Sequence, residues 1–329
     1  MIPNRPRYAA RLNAFKLGLK NPTVPDLLAR IAEVPGIDAA DLNFPDHFEG
    51  IPPATLSRIM ADHGIALNGV AMRYYTDPGF RLGAFSNPDV KVRQAAVDIT
   101  KRGLDAMAEM GGKVMTLWMG QDGVDYAFQG NYARMWDDSL ECLAQVCDHN
   151  PAVDVSLEYK PNEPRAFSLM PDIATNLLAI KELGRTNTGI TLDFCHVLFA
   201  GEIPAQSAQL AGRYSRILGV HLNDGYGKRD DGLIAGSVHP VQTVELFVAL
   251  DRPDLTPREL AWHITDTHDY FVSESSVYRI LKAHDLITSP QFTVMQAADK
   301  FQHPTSRVHE LWQTDFTYFR VVGWGWYFL

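Results

Sequence analysis

The stretch "GITLDFCH", residues 189–196, decides the fold of this chain. Its apolar run has the length of a buried β-strand and stops at Asp193, and an amphipathic helix is predicted downstream at 205–214. A buried strand that ends in a carboxylate and leads into a helix is typical of the parallel βα units of α/β proteins. The stretch therefore predicts one βα unit of a parallel sheet.

The same unit recurs along the first 250 residues, because short apolar runs alternate there with amphipathic stretches. Seven strands are predicted, at 12–15, 38–43, 67–72, 114–119, 155–159, 189–194 and 217–223. Helices are predicted at 25–32, 53–63, 90–109, 132–147, 173–183, 205–214 and 241–250. This alternation predicts a parallel sheet with helices packed against it.

Polar residues fall at the carboxyl ends of the predicted strands. They are Asn43, Arg73, Glu158, Lys160, Asp193, His196, His221, Asn223 and Asp224. In a (β/α)₈ barrel of about 250 residues the active site is built at that end of the strands, whereas a doubly wound sheet collects its polar groups at one switch point. The distribution therefore predicts an α/β fold of the (β/α)₈ TIM-barrel type over 1–250.

Composition excludes several function classes. The formal net charge is −9, which argues against non-specific binding of nucleic acid or of anionic membranes by the chain as a whole. The sequence has no dinucleotide or P-loop motif and no apolar run long enough for a signal peptide or a membrane span. Cys142, Cys147 and Cys195 lack zinc-ligand spacing, so we expect reduced thiols in a cytoplasmic protein.

Three of the strand ends carry groups that can bind a metal ion: Glu158, Asp193 and His221. Singly, a strand-end glutamate is more often an ion-pair partner, and a lone histidine is more often a core residue than a ligand. In a barrel, three consecutive strands bring the groups together as an O, O, N ligand set. Such a set suits Mn²⁺, Mg²⁺ or Co²⁺, and the ligand types also permit Zn²⁺.

Neighbouring residues are candidates for a second ion and for catalysis. His196 is predicted just above the first ion, while Asp230 and Asp231 in "KRDDG" either hold a second ion or form a solvated turn. Lys160 faces the same side of its strand as Glu158. There its ammonium would either stabilise a substrate oxyanion or form a salt bridge with Glu158.

Two further residues are candidates for substrate binding. Trp118 ends the fourth predicted strand, where it would form an apolar wall of the pocket or a part of the core. Asn223 lies at the end of the seventh predicted strand, next to the predicted metal site.

Three segments resemble, in order and spacing, the metal-site motifs of the xylose isomerase-like TIM-barrel sugar isomerases: "LEYKPNEPRAF" (157–167), "LDFCH" (192–196) and "GVHLNDGYGKRDDGLIAGS" (219–237). The likeness is closest to the L-rhamnose isomerases. It implies that Glu158, Asp193 and His221 bind one metal ion, that Lys160 is the catalytic lysine, and that His196 and Asp230 belong to a second metal site. Gly232 stands where a further aspartate is expected.

The reaction that this resemblance implies is aldose–ketose interconversion of a small sugar, with one or two divalent ions. The ions would hold adjacent sugar oxygens and polarise the carbonyl, while Lys160, Glu158 and His196 form the catalytic group. A related epimerase reaction is the alternative, in which paired carboxylates act on opposite faces of the sugar and one of them comes from an eighth strand. The oligomeric state is not set by these motifs, and a homo-oligomer is one alternative.

An eighth strand is missing from the sequence pattern. After the helix at 241–250 the chain reads "DRPDLTPREL" (251–260), with no apolar run that ends in an acid. A barrel without this strand has an open seam between its first and seventh strands and, by the resemblance, lacks one ligand of the first metal. We therefore expect a truncated barrel with impaired activity.

Residues 251–329 differ in character from the barrel. Thr256, Pro257 and Glu259 form a capping box that opens one helix, and Ser273 is the expected cap of a second. These two helices predict a helix-turn-helix-like segment over 251–288. The stretch "HELWQTDFTYFRVVGWGWYFL" (309–329) alternates as a β-strand does.

The tail resembles insertion-sequence transposases of the integrase catalytic superfamily, in which a helix-turn-helix precedes a "W-x-x-D-x-T-Y" strand. Asp315 would be the first carboxylate of the transposase metal triad, within a truncated RNase H-like start over 289–329. We expect this fragment to be non-catalytic, because two-metal DNA strand transfer needs further carboxylates. Weak DNA contact through 256–284 is the remaining alternative, limited by the two cations Arg279 and Lys282 on the second helix.

Overall fold

A parallel β-sheet of seven strands organises the first part of the chain. The computed structural model describes residues 8–251 and the two short strands at 318–321 and 325–328. The seven strands pair in sequence order and are all parallel. They are β1 (Ala9–Arg11), β2 (Ala39–Phe44), β3 (Ala66–Met72), β4 (Val114–Trp118), β5 (Asp154–Glu158), β6 (Thr188–Asp193) and β7 (Ile217–His221).

Within residues 8–251, eight α-helices lie between or after these strands, and two of them lie between β6 and β7. They are α1 (Val24–Ala32), α2 (Pro53–Asp62), α3 (Val90–Glu109), α4 (Tyr132–His149), α5 (Ile173–Leu183), α6 (Phe194–Phe199), α7 (Pro204–Tyr214) and α8 (Pro240–Asp251). Local sequence sets several of their ends. Thr23 and Asp26 form a capping box at the start of α1, and α5 stops at Gly184, whose φ of 62° is left-handed and suits glycine. None of the described helices is both long and apolar enough to cross a membrane.

The two faces of the sheet carry different side chains. Leu117, Leu157 and Ile190 are buried in the apolar core that the strands share with the helices. The alternate positions are small and polar: the hydroxyls of Ser156 and Thr191 lie 2.6 Å apart across β5 and β6. Successive strand residues point to opposite faces, so the residues that end these strands project to this polar face, away from the helices.

The predicted element bounds agree with the structure to within about two residues, apart from the first strand. We expected a strand at 12–15, but Leu12–Lys16 is a 3₁₀ helix, and the strand is Ala9–Arg11. The reason is a tertiary contact. The guanidinium of Arg30 on α1 donates to the carbonyls of Phe15 and Leu17, both at 2.8 Å, which holds these carbonyls away from a strand ladder.

Strands β1 and β7 are the two edges of the sheet within residues 8–251. This arrangement is consistent with the part of a TIM barrel that the sequence predicts over 1–250. After residue 251 the structure describes one β-hairpin, in which Tyr318–Val321 pairs antiparallel with Gly325–Phe328. The stretch 309–329, which alternates as a β-strand does, thus contains two strands that pair with each other. The predicted helix-turn-helix and Asp315 lie outside the described residues.

Candidate metal centre

Three side chains converge at the carboxyl ends of β5, β6 and β7. Glu158, Asp193 and His221 each offer a ligand atom, and these atoms lie within 4.8 Å of one another. Nδ1 of His221 lies 3.1 Å from Oε1 of Glu158 and 3.5 Å from Oδ2 of Asp193. Strand register causes the convergence, because Asp193 and His221 are paired residues of adjacent strands. Both carboxylates are buried.

The charges of this cluster depend on one another. Burial raises the pKa of Glu158, but the imidazoles of His221 and His196 together lower it by more, so the net pKa lies below the usual value. Burial lowers the pKa of His221, but Glu158 and Asp193 together raise it to about 10. The imidazolium of His221 therefore neutralises one of the two buried negative charges, in the place where a bound cation would supply positive charge.

The three residues fit a divalent cation. Oε2 of Glu158 is buried and has no hydrogen-bond partner within the protein, although a buried charged oxygen is costly when it is unpaired. Two carboxylates and one imidazole form a ligand set that Mn²⁺, Mg²⁺, Co²⁺ and Zn²⁺ accept. His221 would hold such an ion as the neutral imidazole, so its ring must be deprotonated for this role.

Asn223 orients one of these carboxylates. Its Nδ2 donates to both oxygens of Asp193, at 3.0 and 3.1 Å, and its Oδ1 accepts from the backbone N–H of Cys195 at 2.9 Å. Asp193 also caps α6, because its Oδ1 accepts from the N–H of His196 at 3.1 Å. Asn223, predicted to bind substrate, therefore contacts the candidate ligand Asp193.

His196 and Asp230 form a second pair of candidate ligands next to Glu158, Asp193 and His221. Nε2 of His196 lies 3.1 Å from Oδ2 of Asp230, and its Nδ1 lies 3.6 Å from Oε1 of Glu158. The Nδ1 atom is buried without a hydrogen-bond partner in the protein. Burial lowers the pKa of His196, but Asp230 and the other nearby carboxylates raise it above the usual value.

Asp231 differs from its neighbour, although the sequence offered both as ligands of a second ion. Its Oδ2 accepts from the N–H of Tyr226 at 2.8 Å, and its Oδ1 pairs with Arg229 at 2.8 Å. Asp231 thus closes the loop on which it lies. Within residues 8–251, Asp230 is the residue of the "KRDD" turn that contacts His196.

Lys160 is buried between carboxylates and an aromatic ring. Its Nζ lies 3.5 Å from Oε2 of Glu163, 3.5 Å from Oδ2 of Asp230 and 4.5 Å from the ring centre of Trp118. The salt bridge to Glu158 that the sequence allowed is not formed in the described part of the chain, where Glu163 and Asp230 are the ion-pair partners. Trp118, in turn, is the register partner of Glu158.

Sequence reasoning missed two residues around this centre, Glu163 and Tyr75. Glu163 accepts from the N–H of Asp230 at 3.3 Å and so links two loops. Tyr75 contacts Trp118 edge-on, and Arg73 lies over Tyr75. "KPNEPR" contains Glu163, but its loop partner is 67 residues distant, and the sequence has no signal for that contact.

Asp224, which the sequence placed among the polar strand-end residues, stabilises a loop. It is fully buried, and its carboxylate accepts from the N–H groups of Gly225, Val238 and His239 at 2.8 to 2.9 Å. Its Oδ1 also lies 2.8 Å from Nδ1 of His239. Asp224 therefore holds both ends of the loop that carries Asp230.

The fold is similar to that of solved sugar epimerases. A D-tagatose 3-epimerase-like protein superposes with a TM-score of 0.59 at 16% identity, over 74% of this chain and 87% of that chain. An L-ribulose 3-epimerase superposes with a TM-score of 0.59 at 15% identity, over 87% of this chain and 99% of that chain. At these identities the likeness shows the fold alone.

Sequence relatives are sugar isomerases. The xylose isomerase of Thermus thermophilus is 28% identical over 187 residues, which are 53% of this chain and 48% of the relative. The xylose isomerase of Thermus caldophilus is 28% identical over 207 residues, which are 59% of this chain and 53% of the relative. The chain thus spans about half the length of the curated relatives it matches. A family profile described as xylose isomerase-like TIM barrel matches residues 28–257, so the chain belongs to that family.

Proposed function

We propose that this chain is built to interconvert an aldose and a ketose with the help of a divalent metal ion. The observation that carries the proposal is the convergence of Glu158, Asp193 and His221 beside the buried ammonium of Lys160. Family membership and the xylose isomerase relatives support a small sugar as the substrate. The closeness to L-rhamnose isomerases stays a prediction.

Each residue would have a separate task. Glu158, Asp193 and His221 would hold an ion, which would supply Lewis-acid polarisation of the sugar carbonyl. The ammonium of Lys160 would stabilise negative charge that develops on the carbonyl oxygen. His196, whose ring lies between Glu158 and Asp230, would take part in moving the proton of a sugar hydroxyl.

Epimerisation is the second candidate, because the solved structures of similar fold include D-psicose and L-ribulose 3-epimerases. An epimerase removes and replaces a proton on the carbon whose configuration it inverts. Incubation of ketoses with the protein in deuterated water separates the two reactions. Deuterium at the epimerised carbon, without any aldose product, would favour the epimerase.

The decisive experiment measures metal binding before activity. We expect Mn²⁺ to bind the full chain in calorimetry, and Glu158→Gln to weaken that binding. Asp105→Asn is the matched control, since Asp105 is an exposed carboxylate that pairs with His149 away from the centre. Equal Mn²⁺ affinity in the wild type and in Glu158→Gln would contradict the metal-site assignment.

Activity is then tested on a panel of aldoses with Mn²⁺ present. We expect a low rate, because the sequence pattern lacks the eighth strand and its ligand. Lys160→Met should abolish the rate while Mn²⁺ binding persists, since Lys160 is not one of the three ligands. Loss of Mn²⁺ binding in Lys160→Met would instead give Lys160 a structural role. The transposase resemblance and the weak DNA contact stay predictions.

A further inference from the structure

A row of contacts leads from the rim of the barrel to Lys160. Arg73, which follows β3, pairs with Asp46 at 3.1 Å, and its guanidinium carbon lies 4.6 Å from the ring centre of Tyr75. The ring of Tyr75 meets that of Trp118 edge-on, with centres 5.2 Å apart and planes at 67°. The ammonium nitrogen of Lys160 lies over the Trp118 ring, 4.5 Å from the ring centre.

Two kinds of attraction act on the ammonium of Lys160. Glu163 and Asp230 attract it from the loop side, each at 3.5 Å. The face of Trp118 attracts it as a cation–π partner. If the Trp118 ring turned away, the two carboxylates would draw the ammonium towards themselves. The orientation of Trp118 therefore sets the position of the ammonium.

Tyr75 is placed to fix that orientation. Its edge-on contact with Trp118 depends on an aromatic ring, because the ring quadrupole favours this geometry. The guanidinium of Arg73, held by Asp46, keeps Tyr75 in place. Tyr75 is 40% exposed, so a core-packing role explains little of its placement.

We propose that Tyr75 is a positioning residue, which acts through Trp118 to hold the Lys160 ammonium where it can act on the substrate. The part that concerns catalysis rests on the proposed function. The part that concerns the placement of Lys160 does not, because it can be measured without a substrate.

The test compares Tyr75→Leu with Tyr75→Phe in the full chain. Leucine removes the ring, whereas phenylalanine keeps the ring and removes the hydroxyl. Tyr126→Leu is the matched control, because Tyr126 is an exposed tyrosine on another loop. The first measurement is the ring-current shift of the ε-methylene protons of Lys160, recorded with ¹³C-labelled lysine and without metal. The second is kcat and KM for the sugar with Mn²⁺ present.

In the wild type, in Tyr75→Phe and in Tyr126→Leu, we expect the Trp118 ring to shift the ε-methylene proton signals of Lys160 upfield. In Tyr75→Leu we expect this upfield shift to be lost. We expect kcat to fall roughly ten- to hundredfold in Tyr75→Leu alone, with KM little changed, since misplacement of a catalytic group by about 1 Å has effects of this size. Mn²⁺ affinity should be the same in all four proteins, because Tyr75 is not among the candidate ligands.

The outcomes separate this proposal from the proposed function. An unchanged Lys160 shift in Tyr75→Leu overturns the positioning role, whether or not a sugar is converted. A loss of kcat or a rise in KM in Tyr75→Phe also overturns it, because the hydroxyl would then contact the substrate itself. If the shift behaves as expected and no sugar is converted by the wild type, the placement of Lys160 stands and the proposed reaction fails.

Discussion

Asp193 and His221 are paired residues on neighbouring parallel strands, and Oδ2 of Asp193 lies 3.5 Å from Nδ1 of His221. The backbone ladder that aligns β6 with β7 thus also sets the spacing of two candidate metal ligands. A change at either residue should alter metal binding and leave the ladder intact, because the ladder uses backbone groups alone.

Asp193 has two roles that substitution can separate. Asp193→Asn keeps an oxygen that can cap α6 but removes the negative charge. We expect Mn²⁺ affinity to fall by about 100-fold or more in both Asp193→Asn and Asp193→Ala, which exceeds the effect of losing a residue that merely supports a ligand. Asp193→Ala should lose about 1 kcal/mol of further stability through the lost cap. Calorimetry and urea unfolding measure the two effects, and equal stability of the two variants would contradict the capping role.

Metal binding should stabilise the fold. A ligand that binds only the folded state adds about 2.7 kcal/mol at a concentration of 100 times its Kd. We therefore expect Mn²⁺ to raise the Tm by several degrees and EDTA to reverse the rise. In Glu158→Gln the rise should be much smaller, since one of the three ligands is changed. A rise of the same size in Glu158→Gln would place the Mn²⁺ elsewhere.

His47 should make stability depend on pH. Its Nδ1 accepts from the N–H of Asn43 at 3.0 Å, and its ring is buried. Burial, together with the positive charges of Lys16 and Arg73, lowers the pKa of His47 to about 4. The unfolded chain binds this proton near pH 6.5. The stabilising contribution is therefore complete above pH 6.5 and is lost as the pH falls towards 4, by about 2 kcal/mol at pH 5.

Urea unfolding at pH 7 and pH 5 checks this dependence. His47→Gln is the control, because glutamine can accept the Asn43 hydrogen bond and cannot titrate. We expect the fall in stability between the two pH values to be smaller in His47→Gln than in the wild type. An equal fall in both proteins would assign the pH dependence to other groups.

Asp224 should be one of the more sensitive positions outside the metal centre. Its oxygens accept from three backbone N–H groups and contact His239, and the residue has no exposed surface. Asp224→Ala leaves these donors without an acceptor, and we expect a loss of about 3 kcal/mol in urea unfolding. Asp224→Asn should also destabilise, because an amide group would face donors. Asp105→Asn, at an exposed position, should stay within about 0.5 kcal/mol of the wild type. A change that small in Asp224→Ala would show that the loop does not depend on this carboxylate.

The sequence by itself determined the order of the seven strands, the order of every helix in residues 8–251 except the short helix α6, and the three strand ends that meet. These features follow from short-range rules: apolar periodicity marks the elements, and the carboxyl ends of parallel strands share one edge of the sheet. Glu158, Asp193 and His221 could therefore be placed together without coordinates. The first strand was misplaced because the side chain of Arg30, from a different element, binds the carbonyls of the turn that follows it.

The tertiary structure alone decided the contacts between loops. Asp230 rather than Asp231 faces His196, Lys160 pairs with Glu163 and Asp230, and Tyr75 meets Trp118. Loops have no periodic pattern, and their conformations depend on hydrogen bonds and ring contacts between residues that are tens of positions apart. Such contacts form only after the sheet has brought the strand ends together, so their geometry is a property of the folded chain rather than of any local stretch of sequence.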